Sequence, residues 1–410
     1  MTYFDWTATS PISRTALDAY IDVATKYIGN PSSTHPLGQQ AALRLSQERQ
    51  LTAAFLGTSA NNIYFTSGGT ESNSIILSSL LQSPSPGEII TTGIEHASIL
   101  EFRKRLQSFG WTFTILKCPS GYLDPEDLKK ALNPKVRMVA FMKVNNVTGT
   151  ILDTKNLVKV VREYSNTTGR PIHIHCDAVQ ALGKIPFFPE QEDIDSASFS
   201  AHKICGPRGV GILYNRSKSL TALSRGGGQE NGLRPGTENL AGIASMNAAM
   251  EETLQDIVQI TPKSTTITPK NPQEITSKLL VNLHKILHFR CKIENVAMES
   301  GYGLLSPNSN SGKEFSPYII NISSSPIPSE VFLRVMADKG FCLSAGSACS
   351  SNSRGKAESV LAAMNIDPKD RLSSIRISMG MGTTEEQVDQ LCVALKTAAD
   401  ELGIRHEKID

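Results

Sequence analysis

The sequence lacks most of the features that would take it out of the ordinary globular enzymes. It has no uninterrupted apolar run near the ~20 residues that a helix needs to cross a bilayer, so no helical membrane span is expected. Its start, Met1-Thr2-Tyr3-Phe4-Asp5-Trp6, lacks the basic region and apolar stretch of a signal peptide. The chain is therefore expected to stay in the cytoplasm, where it is made. A net charge of +2 gives no reason to expect nucleic acid or an anionic membrane as partner. The seven cysteines (118, 176, 205, 291, 342, 349 and 392) form no CxxC pair and no His/Cys ladder, so a zinc site is not supported. An odd number in a chain of this size suits a reducing compartment, with mostly buried thiols and one reactive one. Internal repeats are absent too.

What is present is typical of a globular chain: 410 residues, 40% hydrophobic and 20% charged. At about 150 residues per domain, this length predicts two or three domains. The first half alternates β-rich runs (63–66, 88–92, 111–116, 136–144, 171–176, 210–214) with helix-like segments such as 98–109, 124–131 and 156–164. That alternation predicts an α/β core over 15–255, a mostly parallel sheet covered by helices. The remainder, 1–14 with 256–410, reads as a smaller α+β domain. Within it, 258–272 is Thr- and Pro-rich like a linker, and 300–316 looks like a long, mobile loop. Helices are expected near 273–288, 328–339, 356–364 and 384–402.

Three segments carry chemistry. In Phe65-Thr66-Ser67-Gly68-Gly69-Thr70-Glu71-Ser72, a strand runs through two glycines into a helix-like stretch. Glycines let backbone N–H groups approach an anion, and a helix N-terminus favours phosphate. The same segment reads equally well as a tight turn capped by Ser or Thr. In Ser198-Phe199-Ser200-Ala201-His202-Lys203, a lysine follows a strand and precedes a Gly/Pro turn. There a lysine of lowered pKa forms an imine with an aldehyde, Ser200 and His202 serving as phosphate donors; taken alone, Lys203 reads as an exposed loop lysine. In Ile172-His173-Ile174-His175-Cys176-Asp177-Ala178-Val179-Gln180, an acid ends a β-rich run at the carboxyl edge of a sheet. A carboxylate there holds a pyridine nitrogen protonated, with Gln180 near the ring's phenolic oxygen; the plainer role is a helix N-cap. His173 and His175 share one strand face and read as packing residues.

Together with EHAS at 95–98, VNNVTG at 144–149, RPGTEN at 234–239, SAGSACSS at 344–351 and SIRISMG at 374–380, these segments resemble the cysteine desulfurases (NifS/IscS-like). That family is a branch of the class V aminotransferase-like, fold-type-I enzymes that use pyridoxal 5'-phosphate. The resemblance runs from Asp5 to about Thr384. It implies a seven-stranded, mostly parallel sheet and a Schiff base between the cofactor and Lys203. It also implies that Gly69, Thr70, Ser200 and His202 hold the phosphate, and that Thr237 reaches the phosphate of the other subunit of a homodimer with shared sites. His96 would stack on the ring and move protons, Asn146 and Gln180 would bond the ring oxygen, and Asp177 the ring nitrogen. Arg376 would clamp the substrate carboxylate with help from Asn30, and no metal is implied. Val147, Ala201 and Gln229 depart from residues common in the family.

Cys349 lies in a run of small and polar residues, 344–355, that has little to bury and is expected to be mobile. A thiol of pKa about 8.5 keeps some thiolate near neutrality, and Arg354 or a helix start would lower it further. Cys118, Cys342 and Cys392 read better as buried structural thiols. The resemblance thus implies sulfur transfer from L-cysteine to Cys349, giving L-alanine and a persulfide. Its longer cysteine loop points to a scaffold or sulfur-carrier protein as acceptor, in iron–sulfur cluster assembly, tRNA thiolation or a related pathway. Two rival readings stay open: a selenocysteine lyase, or a cofactor-binding but catalytically quiet subunit.

Overall fold

A computed structural model describes residues 1–217, 220–222, 224–254, 271–346 and 358–404. Seven strands form the central sheet: β1 (Ile63–Thr66), β2 (Glu88–Thr92), β3 (Thr112–Leu116), β4 (Val136–Met142), β5 (His173–Asp177), β6 (Ser196–Ser200) and β7 (Gly211–Asn215). Their spatial order is β3-β2-β4-β5-β6-β7-β1. Only β7 runs against its two neighbours, β6 and β1; every other pair is parallel. Strands β2, β6 and β7 are buried along their whole length, as expected of a parallel sheet with helices on both faces. Because β1, β2, β4, β5 and β6 point the same way, their carboxyl ends share one edge.

Among the helices, α1 (Arg14–Lys26) and α2 (Pro36–Leu56) precede the sheet, and α3 (Gly69–Ser79) packs on β6 and β7. Helix α4 (Leu240–Glu252) packs against α1 and α2. Two glycines are forced by close approach. Gly68 takes φ 153° and ψ 179°, a region open essentially to glycine alone. A Cβ at Gly211 would lie 2.4 Å from the Gly68 Cα, so β7 passes the turn backbone to backbone.

A second, antiparallel sheet joins β8 (Gly303–Leu304), β9 (Ile319–Ser323), β10 (Ser344–Ala345) and β11 (Ser374–Ser378) in the order β10-β11-β9-β8. The first residues of the chain join this part: Thr2–Tyr3 pairs in parallel with Phe341–Cys342, and Asp5 bridges to Ser378. Helix α5 (Pro272–Glu299) packs on α6 (Glu385–Leu402), whose start is fixed by a capping box between Thr384 and Gln387.

The 300–316 stretch is more than a loop. It contains β8 and is tied down by Arg290, fully buried on α5. The Arg290 guanidinium pairs with Glu294 (2.6 Å) and donates to the carbonyls of Pro307, Ser316 and Ile319. Removing one partner of such a buried pair typically costs about 3–5 kcal/mol. The 258–272 stretch lies outside the described residues except for its last two, Asn271 and Pro272, which open α5.

Candidate active site

The common carboxyl edge of the strands opens onto a cavity of about 230 Å³. Around it stand Gly69, Thr70, His96, Asn146, Asp177, Gln180, Ser200, His202, Lys203 and Arg376, with Thr7, Ala8, Ser98, Met142, Val144 and Val179. Most site residues lie at or just beyond a strand end of the central sheet: Lys203 follows β6 in a 3₁₀ turn, Asp177 ends β5, and Asn146 lies past β4 and His96 past β2, whereas Arg376 stands within β11. Ten of the thirteen residues singled out in the sequence thus meet in one place.

An adjoining cavity of about 290 Å³ is lined by Gly68, Gly69, Thr70, Ser200, His202 and Arg208. It opens at the start of α3, which has glycine at its N-cap and no side-chain cap, so the Ser/Thr-capped turn does not form. First-turn N–H groups without a cap are natural donors to a phosphate. His202 is pushed down to about 4 by burial first, then by Lys203 and Arg208, so at neutral pH it is an uncharged ring.

The Lys203 Nζ donates to the carbonyls of Thr7 and Ala8, both at 2.7 Å. Asp177 takes the plainer of the two roles considered for it, capping the turn that follows, while it also lines the cavity. Its Oδ1 caps the following turn by accepting the Val179 N–H (3.1 Å), while Oδ2 accepts from the Asn73 amide (2.8 Å). The two asparagines of VNNVTG divide the labour. Asn145 is buried and braces the loop by accepting from the N–H groups of Val147 and Thr148, and Asn146 faces the cavity. Arg376, 2% exposed, pairs with Asp5 (2.9 Å) and donates to the Asn146 carbonyl (3.0 Å), while its buried Nε has no partner.

Two expected residues lie elsewhere, and a third is not among the described residues. Asn30 is exposed and its side chain accepts the Ser32 N–H in its own loop. Thr237 is exposed and does not line the cavity. Cys349 lies outside the described residues.

The chain is matched over residues 2–391 by the family description Aminotransferase class-V. It is 36% identical to a NifS/IcsS protein homolog of Lactobacillus delbrueckii subsp. bulgaricus, covering 100% of this chain and 99% of that one. It is 33% identical to the cysteine desulfurase IscS of Dictyoglomus turgidum, covering 98% and 95%. The solved structure of a NifS-like protein superposes with a TM-score of 0.84 at 31% identity, over 98% of this chain and 99% of that one. The chain belongs to the class-V aminotransferase family, among its cysteine desulfurases.

The family depends on pyridoxal 5'-phosphate, and the residues present fit that group. They offer an amine for its aldehyde, an acid for its ring nitrogen and an uncapped helix start for its phosphate. The shape of the cradle agrees. A Cβ at Gly69 would lie 2.4 Å from Val179 Cγ2, so only glycine lets helix and pocket wall meet there.

Other contributors gave little sign of themselves in the sequence. Residues 5–10 lie along the site: Asp5 holds Arg376, Thr7 and Ala8 hold Lys203, Thr9 Oγ1 is 3.1 Å from His202 Nδ1, and the Ser10 hydroxyl donates to the His202 carbonyl. Thr7 and Ala8 contribute through their carbonyls, which composition does not reveal, and Asp5, Thr9 and Ser10 through short polar side chains far in sequence from their partners. Buried Lys184 donates to Gln180 Oε1 (2.8 Å) and is pushed down to about 7, by burial first and then by Lys203. Cys342, expected to be buried, is half-buried. Burial pushes the thiols of Cys118 and Cys205 up to about 12 and about 11, and also raises that of Cys176 well above its ordinary value. None of these three is poised as a nucleophile.

Glu95, beside His96, offers a pH test of this packing. It is 1% exposed; its Oε1 accepts the Met142 N–H (2.9 Å) and meets Thr92 Oγ1, while Oε2 has no partner. Burial, reinforced by Asp177, pushes the carboxyl up from 4.5 to about 8. A folded-state pKa above the unfolded one means stability that is complete below pH 4.5 and is lost as pH rises through 8. The loss is about 1.4 kcal/mol per pH unit across that window. Glu95→Gln cannot ionise, so it gains on the parent as pH rises from 5 to 8. Denaturant unfolding of both proteins at the two pH values checks this; an unchanged difference would show that the carboxyl ionises freely in the folded state.

Proposed function

We propose that this protein removes the sulfur of free L-cysteine, releasing L-alanine and leaving a persulfide on Cys349. The observation that carries this reading is the convergence of an amine, an acid and a guanidinium on one cavity beside an uncapped helix start, in a chain of the desulfurase family. Bound pyridoxal 5'-phosphate supplies an aldehyde and a pyridine ring that withdraws electrons from the α-carbon of an attached amino acid.

The protein's own residues do the rest. Thr70, Ser200 and His202 hold the phosphate with the α3 N-terminus, and Asp177 keeps the ring nitrogen protonated. Asn146 and Gln180 bond the ring oxygen. The planar fork of Arg376 receives the substrate carboxylate, a task for which lysine lacks the geometry. Lys203, whose amine would anchor the cofactor's aldehyde, would take the α-proton of the bound substrate, and His96 would assist proton transfer. The Cys349 thiolate attacks the substrate sulfur: an S–S bond forms, the Cβ–S bond breaks, and the electron pair and a proton stay with the departing alanine. The sulfur then passes to a scaffold or sulfur-carrier protein. In this reading 15–255 holds the cofactor, and 1–14 with 256–410 brings the cysteine to it.

We further infer a cytoplasmic homodimer with shared sites. The six described cysteines are all unpaired, as in a reducing compartment, and no described helix is long and apolar enough to cross a membrane. Around α1 and α2, Ile21 (51%), Ile28 (71%) and Leu43 (62%) are exposed, together with Leu17, Tyr20 and Leu37. Such a concentration of apolar side chains fits a second copy of the chain. Sedimentation at equilibrium is expected to give twice the chain mass, and Ile21→Asp with Ile28→Asp to give the monomer; a parent protein that sediments as a monomer would refute the dimer.

The decisive experiment incubates the protein with pyridoxal phosphate and L-cysteine, then measures alanine and the mass of the Cys349 peptide. One sulfur atom gained on that peptide, with alanine formed in step, is expected. Alanine formed at the parent rate by Cys349→Ala, with selenocysteine much preferred, would favour a selenocysteine lyase. Absence of any spectral change on adding cysteine would favour a quiet subunit.

A further inference from the structure

We propose that Asn73 is a positioning residue that couples Asp177 to His96, so that one buried carboxamide sets the orientation of the acid and the hydrogen bonding of the imidazole. This rests on the reading that both residues face the bound cofactor.

Asn73 lies one helical turn after Gly69 on α3 and has no solvent exposure. Its amide nitrogen donates to Asp177 Oδ2 (2.8 Å) and to Ser98 Oγ (2.8 Å), and its Oδ1 lies 2.9 Å from His175 Nε2. All its hydrogen-bonding groups are therefore engaged, and the acceptor at Asp177 fixes which end is the NH₂.

The direction of every neighbouring bond follows. With Asn73 Oδ1 as acceptor, His175 carries its proton on Nε2. Its Nδ1 then accepts from the Ser196 hydroxyl (2.8 Å), whose oxygen accepts from His173 Nε2 (2.7 Å). Burial pushes His175 down to about 3, so this relay is neutral. The strand histidines thus hold the hub rather than merely filling space.

On the other side, Ser98 Oγ accepts from Asn73, which leaves its own O–H to point at His96 Nδ1 (2.8 Å). The Ser98 backbone N–H donates to the same Nδ1 (3.1 Å). A nitrogen that accepts twice carries no proton, so neutral His96 keeps its proton on Nε2. Without Asn73 the hydroxyl loses the donor that aims it, and Asp177 Oδ2 loses its side-chain donor.

The test uses the full-length protein with Asn73→Ala, Ser98→Ala, the double variant and Ser98→Thr. In the cofactor-free proteins, ¹⁵N NMR of labelled histidine reads the bonds accepted by His96 Nδ1. The Nδ1 resonance is expected to move in Asn73→Ala in the same direction as in Ser98→Ala, and no further in the double variant. Ser98→Thr, which keeps the hydroxyl, is expected to hold the parent position. In the holoenzymes, kcat for alanine release is expected to fall about 10- to 100-fold in Asn73→Ala, as for other outer positioning partners, with KM for cysteine little changed.

A parent-like Nδ1 resonance in Asn73→Ala overturns the proposal. If that variant does not fold, Ser98→Ala, altered at a half-exposed position, decides alone: an unmoved resonance there overturns it equally. Uptake of pyridoxal phosphate by the parent is scored separately. Its absence would sink the cofactor reading, while the Nδ1 measurement, made without cofactor, would still report on Asn73.

Discussion

Replacing Lys203 with alanine is expected to abolish the visible absorbance that the parent gains with pyridoxal phosphate, and to slow alanine formation by at least about 10⁴-fold. The size of the effect follows from the site. The Lys203 Nζ is at the cavity, and by this reading it both anchors the aldehyde and moves the α-proton. Lys184 is not a substitute. It is buried, does not line the cavity, and its Nζ is engaged with Gln180 Oε1. The variant should still fold, because Lys203 is half-buried and the segment whose Thr7 and Ala8 carbonyls it bonds is also held by other bonds, such as that from the Thr7 N–H to Ser378 Oγ. Peptide mapping after borohydride treatment checks the same point, since the parent should carry the cofactor on the Lys203 peptide alone. A variant within tenfold of the parent rate would remove Lys203 from the mechanism.

Much of the central sheet was legible because its strands are runs rich in β-branched and apolar residues, as in Glu88–Thr92 and Val136–Met142. Strand β6 was not legible in that way. Ser196-Ala197-Ser198-Phe199-Ser200 has a single large apolar side chain, yet it is fully buried. Its small side chains lie against α3, and Ser196 is satisfied by two histidines. Only its position before Lys203 betrayed it. The site was legible where a side chain carries the chemistry, as with Asp177, His96 and Arg376. It was illegible where the backbone does, as at Thr7 and Ala8, or where a plain residue acts at one remove. Asn73 looks like any polar helix residue until the fold brings Asp177, Ser98 and His175 around it. The pinning of 300–316 escaped for a related reason: a long-range cation, Arg290, does the work.

Asp177→Asn is expected to bind the cofactor and to turn over slowly, with kcat about 10²- to 10⁴-fold below the parent. The geometry explains why an isosteric change should be so costly. Oδ1 faces the Val179 N–H and Oδ2 faces the Asn73 NH₂, so whichever way an asparagine is turned, its own NH₂ opposes a donor. That mismatch is worth about 1–3 kcal/mol of stability. The larger loss is chemical, because a neutral amide no longer favours a proton on the ring nitrogen. The two effects can be separated by adding Asn73→Asp. The contact with residue 177 then reverses its polarity, the new amide donating to the new carboxylate, although Ser98 Oγ loses the donor that Asn73 gave it. The double variant should therefore recover part of the thermal stability while kcat stays low. Recovery of both would mean that Asp177 matters only as part of the helix–sheet joint, and a single variant with parental kcat would mean that the ring nitrogen takes its proton from elsewhere.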